Sequence, residues 1–254
     1  EVGQLPLNDV SNPLVNLIIQ ASSAFSSAMK LSRLEKIICK NFNQKKSFSF
    51  NRSRALLAKS NPESPEAKSL FDQVIDQIPT SSLSALKCKD APWRVTLEGE
   101  GATDVGGPGR DLFTEVSSEI CMPHNHLFIL TPRSVYDTNI EEYVPDPRCT
   151  KLDRFIYVGA FVALAFVTRL QQPYRFADLI WSYLSGKKVT VNQIYTIDPS
   201  FKTLITSARK GEIPADDMKF TVKNIFGEDV ELIPNGATVN VLSSNSNDLS
   251  SKQK

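Results

Sequence analysis

Long apolar runs, closely spaced cysteines and an excess of charge of either sign are all missing from this sequence of 254 residues. The longest apolar run, Phe155–Val167, is shorter than the ~20 residues that a membrane-spanning helix needs, so we expect a buried helix there. The four cysteines, Cys39, Cys88, Cys121 and Cys149, contain no Cys-x-x-Cys pair, which argues against a disulfide scaffold or a zinc ribbon. A net charge of +1 argues against a protein that coats nucleic acid or an anionic membrane.

Neither end of the sequence shows a recognisable targeting signal. The first residues lack the basic stretch and apolar segment of a signal peptide, and we expect an intracellular protein, in the cytoplasm or the nucleus. Because the sequence begins with Glu1, we also expect it to be a piece of a longer protein. Residues 241–254 are rich in serine and asparagine and are predicted to form a disordered tail.

The spacing of apolar residues predicts an α+β fold that is dominated by helices and has small antiparallel β elements. Asn12 and Pro13 are typical of a helix start. Strands are predicted at about 47–52, 93–98 and 127–130, with a hairpin between 219 and 233. Helices are predicted at about 13–40 (one helix, or two broken near Ser22), 65–78, 111–121, 152–170, 176–184 and 199–209.

The most unusual local feature is a glycine-rich loop, because five of the eleven glycines lie between residues 99 and 109. A strand, a glycine loop and a helix in this order can bind phosphate. However, Glu98, Glu100 and Asp104 would repel an anion, so we favour a structural loop in which Arg94 or Arg110 neutralises the acids. Nucleotide binding remains the alternative.

The loop and its flanks resemble the signature of HECT ubiquitin ligases. Three further blocks, at 52–73, 155–186 and 219–236, agree with that family in order and spacing, and together the blocks extend from about residue 48 to residue 240. The last block includes Pro-Asn-Gly at residues 234–236. The signature positions that match, which we expect to be structural, are Gly99, Glu100, Asp104, Gly106, Gly107, Arg110, Asp111 and Phe113.

The resemblance implies the large subdomain of a helix-dominated HECT N-lobe at 48–240, an incomplete HECT domain, preceded by a helical segment at 1–47. In this family a cysteine near the C-terminus accepts ubiquitin as a thioester and passes it to a substrate lysine. None of the four cysteines has the sequence context of that acceptor, so we expect no catalytic residue in this sequence. The acceptor cysteine, the C-lobe and the subdomain that docks the conjugating enzyme are expected elsewhere in the longer protein.

The partners that the resemblance implies are a ubiquitin-conjugating enzyme, ubiquitin and the missing C-lobe, with no nucleic acid, membrane, metal or cofactor. A degenerate, non-catalytic interaction scaffold is the second hypothesis. Cys121, His124 and His126 have the residue types of a zinc site, but chance proximity accounts better for them. Valine at Gly106 or Gly107 is predicted to destabilise the fold by disturbing the packing of the loop.

Overall fold

The structure is a computed structural model that describes residues 11–38, 46–86, 93–99, 107–210, 219–224 and 226–240. The α-helices within these ranges are α1 (Pro13–Gln20), α2 (Ser27–Ile38), α3 (Arg52–Ser60), α4 (Leu70–Gln77), α5 (Gly107–Glu119), α6 (Pro132–Tyr136), α7 (Arg154–Thr168), α8 (Asp178–Leu184), α9 (Val191–Ile197) and α10 (Pro199–Lys210). The strands are β1 (Ser47–Phe50), β2 (Arg94–Leu97), β3 (Phe128–Leu130), β4 (Tyr143–Pro145), β5 (Thr221–Lys223) and β6 (Asp229–Glu231).

The chain divides into two compact units. The first unit comprises residues 1–129 and 145–174, and the second comprises residues 130–144 and 175–254. The main chain therefore passes from one unit to the other three times. Residues 48–240, which the sequence assigned to one N-lobe subdomain, contribute to both units.

Of the two alternatives for the N-terminal segment, one helix or two broken near Ser22, the structure shows two helices. Asn12 caps α1 by accepting a hydrogen bond from the Leu14 N–H at 2.9 Å, and Pro13 occupies the first turn. The α-helix gives way to a 3-10 turn at Ala21–Ala24 before α2 begins. Serine at 22 and 23 favours this break because serine competes for backbone hydrogen bonds inside a helix.

Aromatic rings fill the centre of the first unit. Phe113 stacks on Phe161 with ring centroids 5.4 Å apart, and Trp93 meets both rings edge-on at 5.4 and 5.5 Å. Edge-to-face and offset contacts of this kind add to the free energy gained by burial. The fully buried aromatic side chains of this core are Phe48, Phe50, Phe71, Trp93, Phe113 and Phe161.

Strands β1 and β2 pair in parallel, with Ser47 opposite Arg94 and Phe50 opposite Leu97. We expected small antiparallel elements, and this pair differs because α3 and α4 lie between the strands and return the chain in the same direction. The other edge of β1 is covered by a side chain: the Gln77 amide donates to the Ser49 carbonyl at 2.7 Å and accepts from its N–H at 2.8 Å.

Helix α3 was not predicted, although its start is well defined. The Asn51 side chain accepts a hydrogen bond from the Arg54 N–H at 3.1 Å and so caps the helix. A strand was predicted as far as residue 52, and the apolar periodicity of α3 is too weak to indicate a helix. Ala55 and Ala58 are the positions that α3 buries.

The second unit is built from short helices and a hairpin. Helix α9 begins with a capping box between Thr190 and Gln193, and Asp198 accepts a hydrogen bond from the Phe201 N–H at 3.0 Å to start α10. The predicted hairpin is present, since β5 and β6 pair antiparallel. Helices α6 and α9, of five and seven residues, were not predicted.

The α+β fold class, dominated by helices with small sheets, is confirmed. Within the described ranges, no helix combines the length and the apolar character that crossing a membrane requires. The apolar run at 155–167 lies within α7, where Tyr157, Val158, Phe161 and Leu164 are buried. This run is therefore a core helix, as predicted.

Candidate functional site

Strand β2 ends at Leu97, and Glu98 and Gly99 lead from it into the glycine loop. The Glu98 carboxylate accepts hydrogen bonds from the Asn51 side-chain amide at 3.1 Å and from the Ser49 hydroxyl at 3.0 Å. These two bonds, with a smaller contribution from the charge of Arg54, lower the pKa of Glu98. The partners of Glu98 therefore come from the end of β1 and the start of α3, and the neutralisation of the loop acids by Arg94 or Arg110 stays a prediction.

Two glycines flank the part of the loop that lies outside the described residues. Gly99 has a φ of +81°, a conformation that other residues rarely adopt, so this position requires glycine. Gly107 begins α5, and a Cβ placed there would meet nothing within 4 Å. The structure therefore gives no steric reason for the destabilisation predicted for Gly107→Val.

The described signature residues on α5 differ in exposure. Arg110 and Asp111 are exposed, whereas Phe113 is fully buried in the aromatic core. The described positions therefore do not converge on a cradle for an anion. Glu100, Asp104 and Gly106 lie outside the described residues.

A charged side chain that the sequence analysis did not single out lies buried at the end of α5. Glu119 has no solvent exposure. Its Oε2 accepts a hydrogen bond from the Phe71 N–H at 3.1 Å, and its Oε1 lies 3.4 Å from the Lys59 Nζ. Burial raises the pKa of Glu119, while the bond from Phe71 and the charge of Lys59 oppose that shift. The carboxylate thus satisfies a donor in the first turn of α4.

The first turn of α4 is also bound to α7. The Asp72 carboxylate forms an ion pair with the Arg154 guanidinium at 2.5 Å, and the Asp72 N–H donates to the capping Ser69 hydroxyl at 3.0 Å. Asn125 donates to the carbonyl oxygen of Glu119 at 2.5 Å. Polar contacts therefore join α4, α5 and α7 beside the aromatic core. Glu119 lies on the same buried face of α5 as Leu112 and Val116. Helical spacing alone could therefore have predicted that Glu119 is buried.

The cysteines and histidines do not form a metal site in the described residues. There, no group of three or more histidine, cysteine or acidic side chains could hold a metal ion. Cys121 is only 7% exposed, and Cys149 is partly exposed. His124 is half-buried, and burial lowers its pKa. Cys39 and Cys88, the latter considered for reactivity between two lysines, lie outside the described residues.

The Pro-Asn-Gly segment that follows the hairpin has a clear geometric explanation. Asn235 has a φ of +60°, a conformation in which asparagine is enriched. A Cβ at Gly236 would collide with the backbone carbonyl oxygen of Phe220. The Phe220 N–H donates to the Gly236 carbonyl at 3.1 Å, and the Phe220 carbonyl accepts from the Leu232 N–H at 2.8 Å. Glycine is therefore needed for the hairpin to pack against its own continuation.

Comparison with known proteins agrees with these motifs. The family model described as HECT-domain (ubiquitin-transferase) matches residues 114–250, which is more than half of the chain. The chain belongs to the HECT-domain family. The E3 ubiquitin-protein ligases HERC2 of Mus musculus and Homo sapiens are each 24% identical to it over 175 residues. Those matches cover 65% of this chain and 4% of each relative, so the chain spans a small part of their length.

The family match covers the later predicted blocks but not the earlier ones. It includes α7, α8 and the hairpin with its Pro-Asn-Gly segment, and it begins at residue 114, immediately after Phe113. The family resemblance stated from the sequence is thereby confirmed. The structural roles assigned to the eight signature residues, and the proposed boundaries at residues 47 and 240, stay predictions.

Proposed function

We propose that this chain is the N-lobe scaffold of a HECT-type E3 ubiquitin ligase. In the whole protein, ubiquitin would pass from a conjugating enzyme to a cysteine as a thioester and then to a substrate lysine. Membership of the HECT-domain family supports this proposal, as does the similarity to two proteins named E3 ubiquitin-protein ligases. Residues 48–240 would form the scaffold, with 1–47 as a helical segment before it and 241–254 as a tail.

The packing of the signature residue Phe113, and of Glu98 immediately before the signature, supports a scaffolding role. Phe113 contributes its ring to the aromatic core, and Glu98 joins the end of β2 to the start of α3 through two hydrogen bonds. These residues hold elements together and present no nucleophile to a thioester. We propose that the eight signature positions set the shape of the N-lobe, and that the chemistry belongs to the C-lobe of the longer protein.

The environment of Cys121 also supports an acceptor outside this chain. A thioester exchange requires the attacking sulfur to reach a carbonyl carbon carried by another protein, and a sulfur on a residue that is 7% exposed does not meet that need. Cys149 is partly exposed and is the described cysteine that a test must address. The other two cysteines are tested together with it.

A thioester assay tests the proposal directly. The purified chain is mixed with activating enzyme, conjugating enzymes, ATP and ubiquitin, and products are separated with and without reductant. We expect no thiol-sensitive ubiquitin adduct on this chain and a clear adduct on the full-length protein. Any thiol-sensitive adduct on this chain would overturn its assignment as scaffold, and serine variants of Cys39, Cys88, Cys121 and Cys149 would identify the acceptor. The circular dichroism spectrum of each variant confirms that it is folded.

One observation favours the alternative of a non-catalytic interaction scaffold. Residues 11–29 contain no charged side chain, and Leu14, Leu17 and Ile19 of α1 are exposed. Exposed apolar side chains on one helix are a common feature of binding surfaces. If the full-length protein also forms no thioester with any conjugating enzyme, the interaction role replaces the catalytic one.

A further inference from the structure

The chain contains two dipeptides in which serine or threonine precedes proline. These are Ser64-Pro65 and Thr131-Pro132. Proline at the following position is what proline-directed protein kinases require of a substrate, and it also keeps the preceding residue extended. A sequence alone does not distinguish the two positions, but their surroundings in the structure do.

Thr131 is inaccessible. Its exposed fraction is 0%, and its hydroxyl caps α6 by accepting a hydrogen bond from the Ser134 N–H at 3.2 Å. The same hydroxyl lies 2.9 Å from the Ser134 hydroxyl. A kinase would have to unfold α6 to reach Thr131, so we expect no modification there in the folded protein.

Ser64 lies in a different setting. It is partly exposed and lies in the turn-rich connection between α3 and α4, where residues 61–69 form neither helix nor strand. The flanking residues Pro62, Glu63, Pro65 and Glu66 are exposed. The Ser64 hydroxyl accepts one long hydrogen bond, from the Glu66 N–H at 3.4 Å. This segment can therefore enter an active-site cleft without any helix or strand being broken.

We propose that Ser64 is a phosphorylation site for a proline-directed protein kinase. The Ser64 Oγ attacks the γ-phosphorus of ATP, and the bond from that phosphorus to the β–γ bridging oxygen breaks as ADP leaves. The hydroxyl proton passes to the base of the kinase, and the product is a phosphate monoester on Ser64. The charge added is close to −2 at neutral pH.

We expect Arg54 to receive this phosphate, because its side chain is bound to the same turn. Its Nε donates to the Glu66 carbonyl at 3.0 Å, and its own carbonyl accepts from the Lys68 N–H at 3.1 Å, so α3 already holds the turn. The Lys68 ammonium pairs with Asp76, which leaves the Arg54 guanidinium as the cation held to this turn. The carboxylates of Glu63 and Glu66 oppose the phosphate, so a gain from Arg54 is required for the modified turn to be stable.

The site is tested on the intact protein. The folded chain is incubated with a proline-directed serine/threonine kinase and magnesium ATP, and the modified residue is identified by mass spectrometry. Synthetic peptides around each dipeptide serve as matched controls. We expect both peptides to be phosphorylated but the folded protein to carry one phosphate, at Ser64, which is lost in Ser64→Ala. An unmodified Ser64 in the folded protein, or a Thr131 modified as fast as Ser64, would overturn the proposal.

The role of Arg54 has its own readout. Phosphorylated and unmodified protein are compared by thermal unfolding in the natural sequence and in Arg54→Gln. We expect the phosphate to raise the unfolding midpoint by about 2–4 °C in the natural sequence, which is the shift that ~1 kcal/mol produces in a chain of this size. The variant should show no rise. An equal shift in both would exclude Arg54 as the receiver.

Discussion

The two compact units of this chain differ in how they are held together. The first unit buries six aromatic rings against one another and places a carboxylate, Glu119, at zero exposure beside them. In the second unit, α8 and α9 bury no residue completely. Among the described residues, its buried apolar side chains are Phe176 and Ala177.

The second unit relies instead on local hydrogen bonds at helix starts and turns. Thr190 and Gln193 form a capping box, and Asn224 accepts hydrogen bonds from the N–H groups of Phe226 and Glu228 at 2.9 and 3.0 Å. A single core contributes free energy through many contacts, whereas a turn depends on one backbone geometry. The first unit should therefore be sensitive to lost volume and the second to lost conformational freedom.

The largest effect is expected from Phe161→Ala. Phe161 contacts three rings of the first unit, and the cavity left by its removal costs about 3–5 kcal/mol of unfolding free energy. Urea denaturation followed by circular dichroism measures the loss. Ile156→Ala on the same helix, at a position 53% exposed, should change stability by only about 0.5 kcal/mol. Similar losses in the two variants would show that the aromatic core does not dominate the first unit.

A smaller effect is expected from Gly236→Ala in the second unit. The added methyl meets the Phe220 carbonyl, and we expect a cost of about 1–3 kcal/mol, as for other overpacked sites. The two tryptophans separate the units, because Trp93 lies in the first and Trp181 in the second. Unfolding of Trp181→Phe, whose remaining tryptophan is Trp93, is therefore compared with and without Gly236→Ala. The Trp93 fluorescence transition reports the first unit, and the far-UV circular dichroism transition reports both units. Gly236→Ala should shift the fluorescence transition less than the circular dichroism transition. A variant as stable as the natural sequence would contradict the proposed close contact.

A stabilising change is expected at Gly159 in α7. A Cβ there would meet nothing within 4 Å, and alanine is favoured over glycine inside a helix. Gly159→Ala should therefore raise the free energy of unfolding by about 0.5–1 kcal/mol. The urea midpoint measures this, and a fall in the midpoint would indicate that α7 needs the glycine for packing.

The smallest effect at neutral pH is expected from Glu119→Gln, which keeps the acceptor for Phe71 but removes the charge. Loss of attraction to Lys59 and relief of a buried charge oppose each other. The pKa of Glu119 is raised in the folded state, so its contribution is greatest below the unfolded pKa and declines as pH rises towards the folded pKa. The free energy of unfolding of the natural chain, minus that of Glu119→Gln, should fall as the pH rises over this range. If this difference in unfolding free energy does not change with pH, the raised pKa of Glu119 is excluded.

The sequence predicted those parts of the fold that depend on neighbouring residues. Apolar spacing located α7, α5 and the hairpin, and Asn12 with Pro13 marked the start of α1. It did not predict the parallel pairing of β1 and β2, because the pairing partner of a strand is not encoded in the strand itself. Helix α3 was missed because it buries only two alanines.

The candidate site was predicted less completely than the fold. The burial of Phe113 agrees with its apolar position on α5. The partners of Glu98 could not be inferred, since Ser49 and Asn51 lie more than 40 residues earlier in the chain and meet it only through the parallel strand pair. Asp72 and Arg154 are separated even further in the sequence. Contacts between distant residues follow from the assembled fold.

The parallel pairing of β1 and β2 also sets the order in which this protein can fold during synthesis. Ser47 pairs with Arg94, so β1 leaves the ribosome about 2–10 s before its partner at ~5–20 residues per second. Until Trp93 emerges, Phe48 and Phe50 lack the indole ring that both pack against, and the nascent segment is open to chaperones and to misassociation.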